Sequence, residues 1–192
     1  VNSTQSLALK LIRGCRILDQ LKLLAEDSTY PELYTDIQRG FPNTQRRQHA
    51  TNEVSIRQLS YLPYIGMKML QIRAQCRSNQ HDYQPILQLL NVTFENADSP
   101  ENVTFNAQGT DYHMQPVDLD QSRVKVRCNC LDFYYRFAMT NFNDNSLVGR
   151  SPPVYRRVPG SNRPPANPMN VPGLCRHLIK VVQRLQQLGF VR

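Results

Sequence analysis

Between residues 3 and 26 apolar side chains return every three or four positions, at Leu7, Leu11, Cys15, Leu18 and Leu21, while Lys10, Arg13, Arg16 and Lys22 fall largely off that stripe. The spacing predicts an amphipathic helix. Leu9, Ile12, Ile17, Leu23 and Leu24 widen its apolar face beyond a single seam, so it packs either against a neighbouring subunit or within its own domain. Residues 27–52 are polar and turn-rich, with Tyr30-Pro31, Phe41-Pro42 and an Arg46-Arg47 pair, and read as a short helix at most, followed by loop.

From Val54 to Phe105 β-branched and aromatic residues become denser and the segments shorten. Strands are predicted over 54–62, 67–76, 86–94 and 102–107, separated by turn residues at Pro63, Gly66, Ser78-Asn79 and Asp98-Ser99-Pro100. The connections are too short for helical crossovers, which favours antiparallel, meander-type pairing. No internal repeat of fixed period is visible.

The pattern changes at Arg123. From Val124 to Cys130 every even position is apolar or a thiol and every odd one polar, the period of two of a half-buried strand, which puts both Cys128 and Cys130 on one face. Residues 131–139 are dense in aromatics and predict a short helix or an irregular segment packed over the sheet. Residues 143–172 hold prolines at 152, 153, 159, 164, 165, 168 and 172 and few large apolar groups, so they form an extended loop and no helix. Leu174, Leu178, Val181, Val182, Leu185 and Leu188 then recur at helical spacing up to Gly189, with Arg176, Lys180 and Arg184 on another face. The reading is an α+β protein: an N-terminal helix and central antiparallel sheet over 1–121, and a strand–helix corner with a proline-rich loop over 122–192.

Charge sharpens this division. The net charge is +8, and Asp144 is the last acidic residue. Arg150, Arg156, Arg157, Arg163, Arg176, Lys180, Arg184 and Arg192 follow it, so the excess lies in the last quarter. The first seven of these cations form a candidate contact surface for nucleic acid or an acidic protein face; the alternative is a solvated basic surface. With no run of eighteen apolar residues and no signal-peptide pattern at its start, the chain is expected to be soluble, neither membrane-bound nor secreted. The N-x-[ST] triplets at Asn2, Asn91 and Asn102 are accordingly not expected to be glycosylated.

The 5 cysteines do not form an obvious disulfide framework, and a reducing compartment is expected. Cys128 and Cys130 from a strand, with Cys175 and His177 from a helix start, make a donor set of three thiolates and one imidazole. That set suits one tetrahedral zinc ion per chain, with no position left for water, and closed sets are structural. The alternative is three buried thiols and a hydrogen-bonded histidine. Positions two apart do not share a helical face, so the backbone must still be turning at Cys175 and His177, and Pro172-Gly173 is expected to supply that turn. A helix N-terminus would also favour the thiolate of Cys175. Cys15 and Cys76 read as core residues, and no metal is expected at His49, His81 or His113.

The C-x-C…C-x-H pattern, strand first and helix second, resembles the SWIM-type zinc motif over roughly residues 122–189. Its metal ligands correspond to Cys128, Cys130, Cys175 and His177, although residues 131–174 form a longer separation than typical members have. The wider phrasing is Cys-Asn-Cys-Leu-Asp-Phe-Tyr-Tyr-Arg-Phe-Ala, then a Pro- and Arg-rich loop, then Asn-Pro-Met-Asn-Val-Pro-Gly-Leu-Cys-Arg-His-Leu. It is similar to SWIM-like structural proteins of tailed bacteriophages. The resemblance implies a virion component of tail, baseplate, neck or head, assembled in the host cytoplasm, with other virion proteins as partners and a homo-oligomer or symmetric assembly as its setting. A zinc-dependent nucleic-acid-binding protein using the basic C-terminal region is the alternative, with Tyr134, Tyr135 and Tyr155 interleaved among the cations. No Gly-rich phosphate loop, paired-carboxylate motif or G-x-S-x-G occurs, and a Cys175–His177 dyad lacks an orienting third group, so no enzymatic activity is expected.

Overall fold

A computed structural model describes residues 28–40, 50–156, 160 and 165–192. The helix predicted over 3–26, with Cys15, lies outside these residues, as do Phe41-Pro42, Arg46-Arg47, His49, Arg157 and Arg163. The described chain is α+β, with antiparallel sheets, few helices, and a helix that follows the cysteines near the C-terminus.

Helix α1 (Tyr30–Gly40) is the short helix allowed for within residues 27–52, with Pro31 in its first turn. Proline is tolerated in a first turn, where backbone N–H groups have no intrahelical acceptor. Glu32 accepts hydrogen bonds from the Thr29 amide (2.8 Å) and hydroxyl (3.1 Å), closing that turn from the side-chain end. Leu33 and Ile37, four residues apart, are its fully buried face.

The larger sheet is built on a long hairpin of β1 (Ser55–Tyr64) and β2 (Met69–Ser78), with β3 (His81–Tyr83) and β4 (Ile86–Leu89) both pairing antiparallel to β2. Of the expected turn residues, Gly66 lies in the turn Ile65–Met67, followed by Lys68 at φ 48°, whereas Pro63 stays within β1. β1 is an edge strand, so a proline near its end need not break a central ladder. The strand predicted over 86–94 divides at Asn91, whose φ of 59° bends the chain out of the sheet. Its remainder, β5 (Phe94–Glu95), joins a second sheet of order β5-β7-β6 with β6 (Val103–Ala107) and β7 (Thr110–Met114). β3 and β7 are absent from the sequence reading because both are short and polar; the Gln108-Gly109 turn before β7, with φ of 54° and 85°, is the hairpin signal it did not use.

β8 (Val124–Arg127) pairs antiparallel with β4, Val126 opposite Leu87, and completes the order β1-β2-β4-β8. Its outer edge is not left open. The Val126 amide donates to the Ser146 carbonyl (2.8 Å) and the Val148 amide to the Val126 carbonyl (3.1 Å), so the loop predicted over 143–172 begins by covering a sheet edge. Helices α2 (Leu131–Arg136), α3 (Ala138–Asn143) and α4 (Arg176–Gln187) follow. Buried Leu70, Ile72, Leu87 and Leu89 share one core with Val124, Val126, Phe133, Phe137, Leu178 and Val182, residues taken from both sides of position 121. Among the described residues, no helix is long and apolar enough to cross a membrane.

Candidate metal centre

Alternation along β8 continues beyond the strand itself: Val124, Val126, Cys128 and Cys130 are buried, while Lys125, Arg127 and Asn129 are not. The two cysteines do not lie on the strand, as the period suggested, but in the connection that leaves it. Cys130 is in extended conformation (φ −74°, ψ 148°) and caps α2, its sulfur accepting the Phe133 amide at 3.3 Å. Between the thiols, Asn129 points the other way and accepts the Gln84 amide at 2.8 Å, which ties the connection to the start of β4.

The second pair arrives from the start of α4. Cys175 is its N-cap residue (φ −85°, ψ 164°), still extended, and His177 lies in the first turn, so the two side chains converge although they are two apart. Gly173 serves this approach in a different way from the one the sequence suggested. A Cβ at this position would meet Phe137 at 2.8 Å and Ile37 at 2.9 Å, so the residue is needed for close packing against α1 and α2–α3. Fully buried Asn141 holds it there: its side-chain oxygen accepts the Gly173 amide (2.8 Å) and its side-chain nitrogen donates to the Gly173 carbonyl (3.1 Å). Two backbone groups hidden from water are thereby satisfied by one side chain.

The ligand atoms of Cys128, Cys130, Cys175 and His177 all lie within 4.8 Å of one another. Sγ of Cys128 and Sγ of Cys175 are each 3.8 Å from Nδ1 of His177. None of the four residues is more than 5% exposed. Tyr83 stacks on the imidazole with ring centroids 4.1 Å apart, fixing its plane. This cluster can hold one metal ion.

Electrostatics favour that use. Burial pushes the Cys128 and Cys175 thiols well above their ordinary range, whereas Cys130 is held far below it by hydrogen bonds that the Cys128 and Cys175 thiols direct at its sulfur. Left to itself, the cluster stabilises one thiolate and resists two more, since like charges in a low-dielectric site oppose each other. A divalent cation removes that opposition and is the usual partner of such a donor set. The helix starts at Leu131 and Arg176 add positive backbone ends beside Cys130 and Cys175.

Arg176, between the last two ligands, reaches outward to Glu53 (2.6 Å) and to the Ser78 hydroxyl (2.7 Å). It therefore anchors the start of α4 to the end of β2 and the turn Thr51–Glu53, and its side chain is only 18% exposed. This corrects its assignment to a basic contact surface. Arg184 is exposed and donates to Gln187 at 3.2 Å, and Lys180 is half-buried; Arg150 and Arg156 are exposed. Arg157 and Arg163 lie outside the described residues.

Sequence reasoning did not find Asn141, Asn129 or Tyr83, whose roles rest on partners 30 to 100 residues away in the chain and leave no local signature. Cys76 is fully buried, its thiol pushed up to about 12 by burial. His81 lines a cleft of about 820 Å³ that opens beside the centre, and His113 shares a surface cluster with Thr104 and Asp98. In comparisons with family models, with curated proteins and with solved structures, nothing matches this chain.

Proposed function

We propose that the chain is a non-enzymatic structural component of a tailed-phage particle, in tail, baseplate, neck or head, whose C-terminal region is pinned by one zinc ion. The observation that carries the zinc half is the convergence of three buried sulfurs and one imidazole nitrogen within 4.8 Å. Three thiolates and a histidine form a closed tetrahedral set for zinc, and a closed set offers no open position for substrate or activated water. Iron would accept the same sulfurs, but a mixed set with one imidazole is one of the usual structural zinc types. The SWIM-like pattern and the phrasing around both ligand pairs support the virion half, with a homo-oligomeric or symmetric assembly and other virion proteins as neighbours.

Native mass spectrometry of the purified chain, with and without a strong chelator, tests the metal and the subunit count together. One zinc per chain, lost on chelation along with the defined oligomer, is the expected result. A metal-free chain that keeps the same fold and oligomeric state removes the structural role. Peptide mass spectrometry on purified particles of the phage that encodes the chain tests the location, and its absence from intact particles overturns the virion assignment.

A further inference from the structure

The metal corner leaves one surface it does not use. Helix α2 exposes Tyr135 (43%), and the proline-rich loop exposes Val154 (70%) and Tyr155 (52%). Residues 135 and 155 meet edge to face with ring centroids 4.9 Å apart, and Tyr134 packs against Tyr135 at 5.0 Å. The wall is preformed: the Tyr134 hydroxyl donates to the Pro153 carbonyl at 3.2 Å, and Pro152 is buried beneath it. Arg127 adds a second anchor by donating to the carbonyls of Val148 and Arg150. Between helix and loop lies a groove of about 380 Å³.

Three features bear on what fills it. Among the described residues no acidic side chain lines the groove, and exposed Arg150 and Arg156 precede and follow the loop segment 152–155 in the chain. The exposed rings are tyrosines, whose faces accept another π-system while their hydroxyls stay wet. Asn143 and Asn170, both exposed, present amides on the rim that can pair with base edges. An acidic protein segment would satisfy the arginines but leave the aromatic step unused. A duplex would satisfy the arginines as well, yet its stacked bases cannot enter a groove between a helix and a loop.

We infer that this tyrosine groove binds single-stranded nucleic acid, with a base stacked at Tyr135 and Tyr155 and the backbone phosphates drawn to Arg150 and Arg156. Stacking platforms of this kind tolerate any base, because every base has a π-face, so binding is expected without strong sequence preference. The site is separate from the metal centre, and its failure leaves the zinc reading untouched.

The test uses the full zinc-loaded chain and a fluorescein-labelled oligonucleotide of about twenty nucleotides, a length that spans one such site several times over, followed by anisotropy across a salt series. The chain has no tryptophan, so quenching of tyrosine emission reports the stacking directly. The single strand is expected to bind at least about tenfold more tightly than its own duplex, and Tyr135→Ala or Tyr155→Ala to weaken binding by roughly fivefold to a hundredfold. Tyr155→Phe retains binding. Arg156→Ala lowers the slope of log affinity against log salt by about 0.7. Metal stoichiometry of each variant, unchanged, shows that the fold is intact. Equal binding of duplex, indifference to the tyrosine variants, or no binding at low salt each overturns the inference; the first two would mark a purely electrostatic contact, the last an interface for protein.

Discussion

Around Phe105 and around Cys128 the chain faces the same task, joining segments that are far apart in sequence, and uses different physics for each. Phe105 on β6 sits among Tyr61, Tyr112 and Phe190, with ring centroids 5.2, 5.8 and 5.6 Å away, and so joins both sheets to the C-terminus by apolar contact. The cysteine corner shares the buried core through Cys128, Cys130 and Cys175 but adds polar links to it. Its segments are held by a ligand set, by Asn141 on Gly173 and by Arg176 on Glu53 and Ser78. Apolar packing degrades in proportion to what is removed, because each contact is small and interchangeable. A ligand set fails as a unit, since all of its donors lose the one shared cation together.

The largest effect follows from that contrast. Removing the metal with a chelator should release up to about 10 kcal/mol of local stability, the scale found for isolated zinc-finger peptides. Hydrogen exchange is expected to rise in residues 128–143 and 173–179 while β6 and β7 keep their protection. Equal loss in both regions would show that the corner has no independent hold. The mirror experiment is Phe105→Ala, expected to cost about 3–5 kcal/mol in global unfolding with one metal per chain retained. A variant that loses its metal would place Phe105 within the corner's support, and the two regions would no longer be separable.

How much of this was legible depended on the range of the contacts. The period of two from Val124 to Cys130 was readable, since alternation is local, and burial follows it even where the strand does not. The helix over Arg176–Gln187 and its end near Gly189, at φ 80°, were readable for the same reason. β7 was not, because Thr110–Met114 is polar at most positions and earns its place by pairing with both β5 and β6. The four ligands stood out by residue type. What positions them did not: Asn141 looks like any other asparagine in a run rich in that residue, and only a bond across 32 positions distinguishes it. Arg176 was misread for a related reason, as charge along a helix says nothing of which cation finds an internal partner.

Gly173 sharpens the comparison at an intermediate scale. Any side chain there drives a Cβ into Phe137 and Ile37, so Gly173→Ala is expected to destabilise the chain by about 1–3 kcal/mol, through repacking rather than through backbone strain. Thermal unfolding with metal bound and removed checks this. The loss should be larger in the loaded chain, where the Cys175–His177 segment is held against α2–α3 and cannot retreat. Equal losses in both states would mean that the close approach belongs to the core and not to the metal corner.

The smallest expected effect concerns Arg176, and it separates positioning from charge. Its guanidinium donates to Glu53 and Ser78 through two different nitrogens held in one plane, a fixed geometry that a lysine ammonium does not reproduce. Glu53 is 58% exposed, so the ion pair itself is screened and adds little to global stability. Its consequence is local: the residue between two ligands loses rotational freedom before any metal arrives. Arg176→Ala should therefore lower metal affinity by about tenfold, the lower end of what outer contacts to a metal site contribute, with the melting temperature of the metal-free chain nearly unchanged. Competition against a chromophoric chelator measures the first quantity, and the absorption of the cobalt-substituted site reports whether the tetrahedral sulfur set is still complete. Arg176→Lys keeps the charge but should recover only part of the affinity. Full recovery by lysine would make Arg176 a counter-charge and nothing more, and the corner would then owe its geometry to Asn141, Gly173 and the ligands alone.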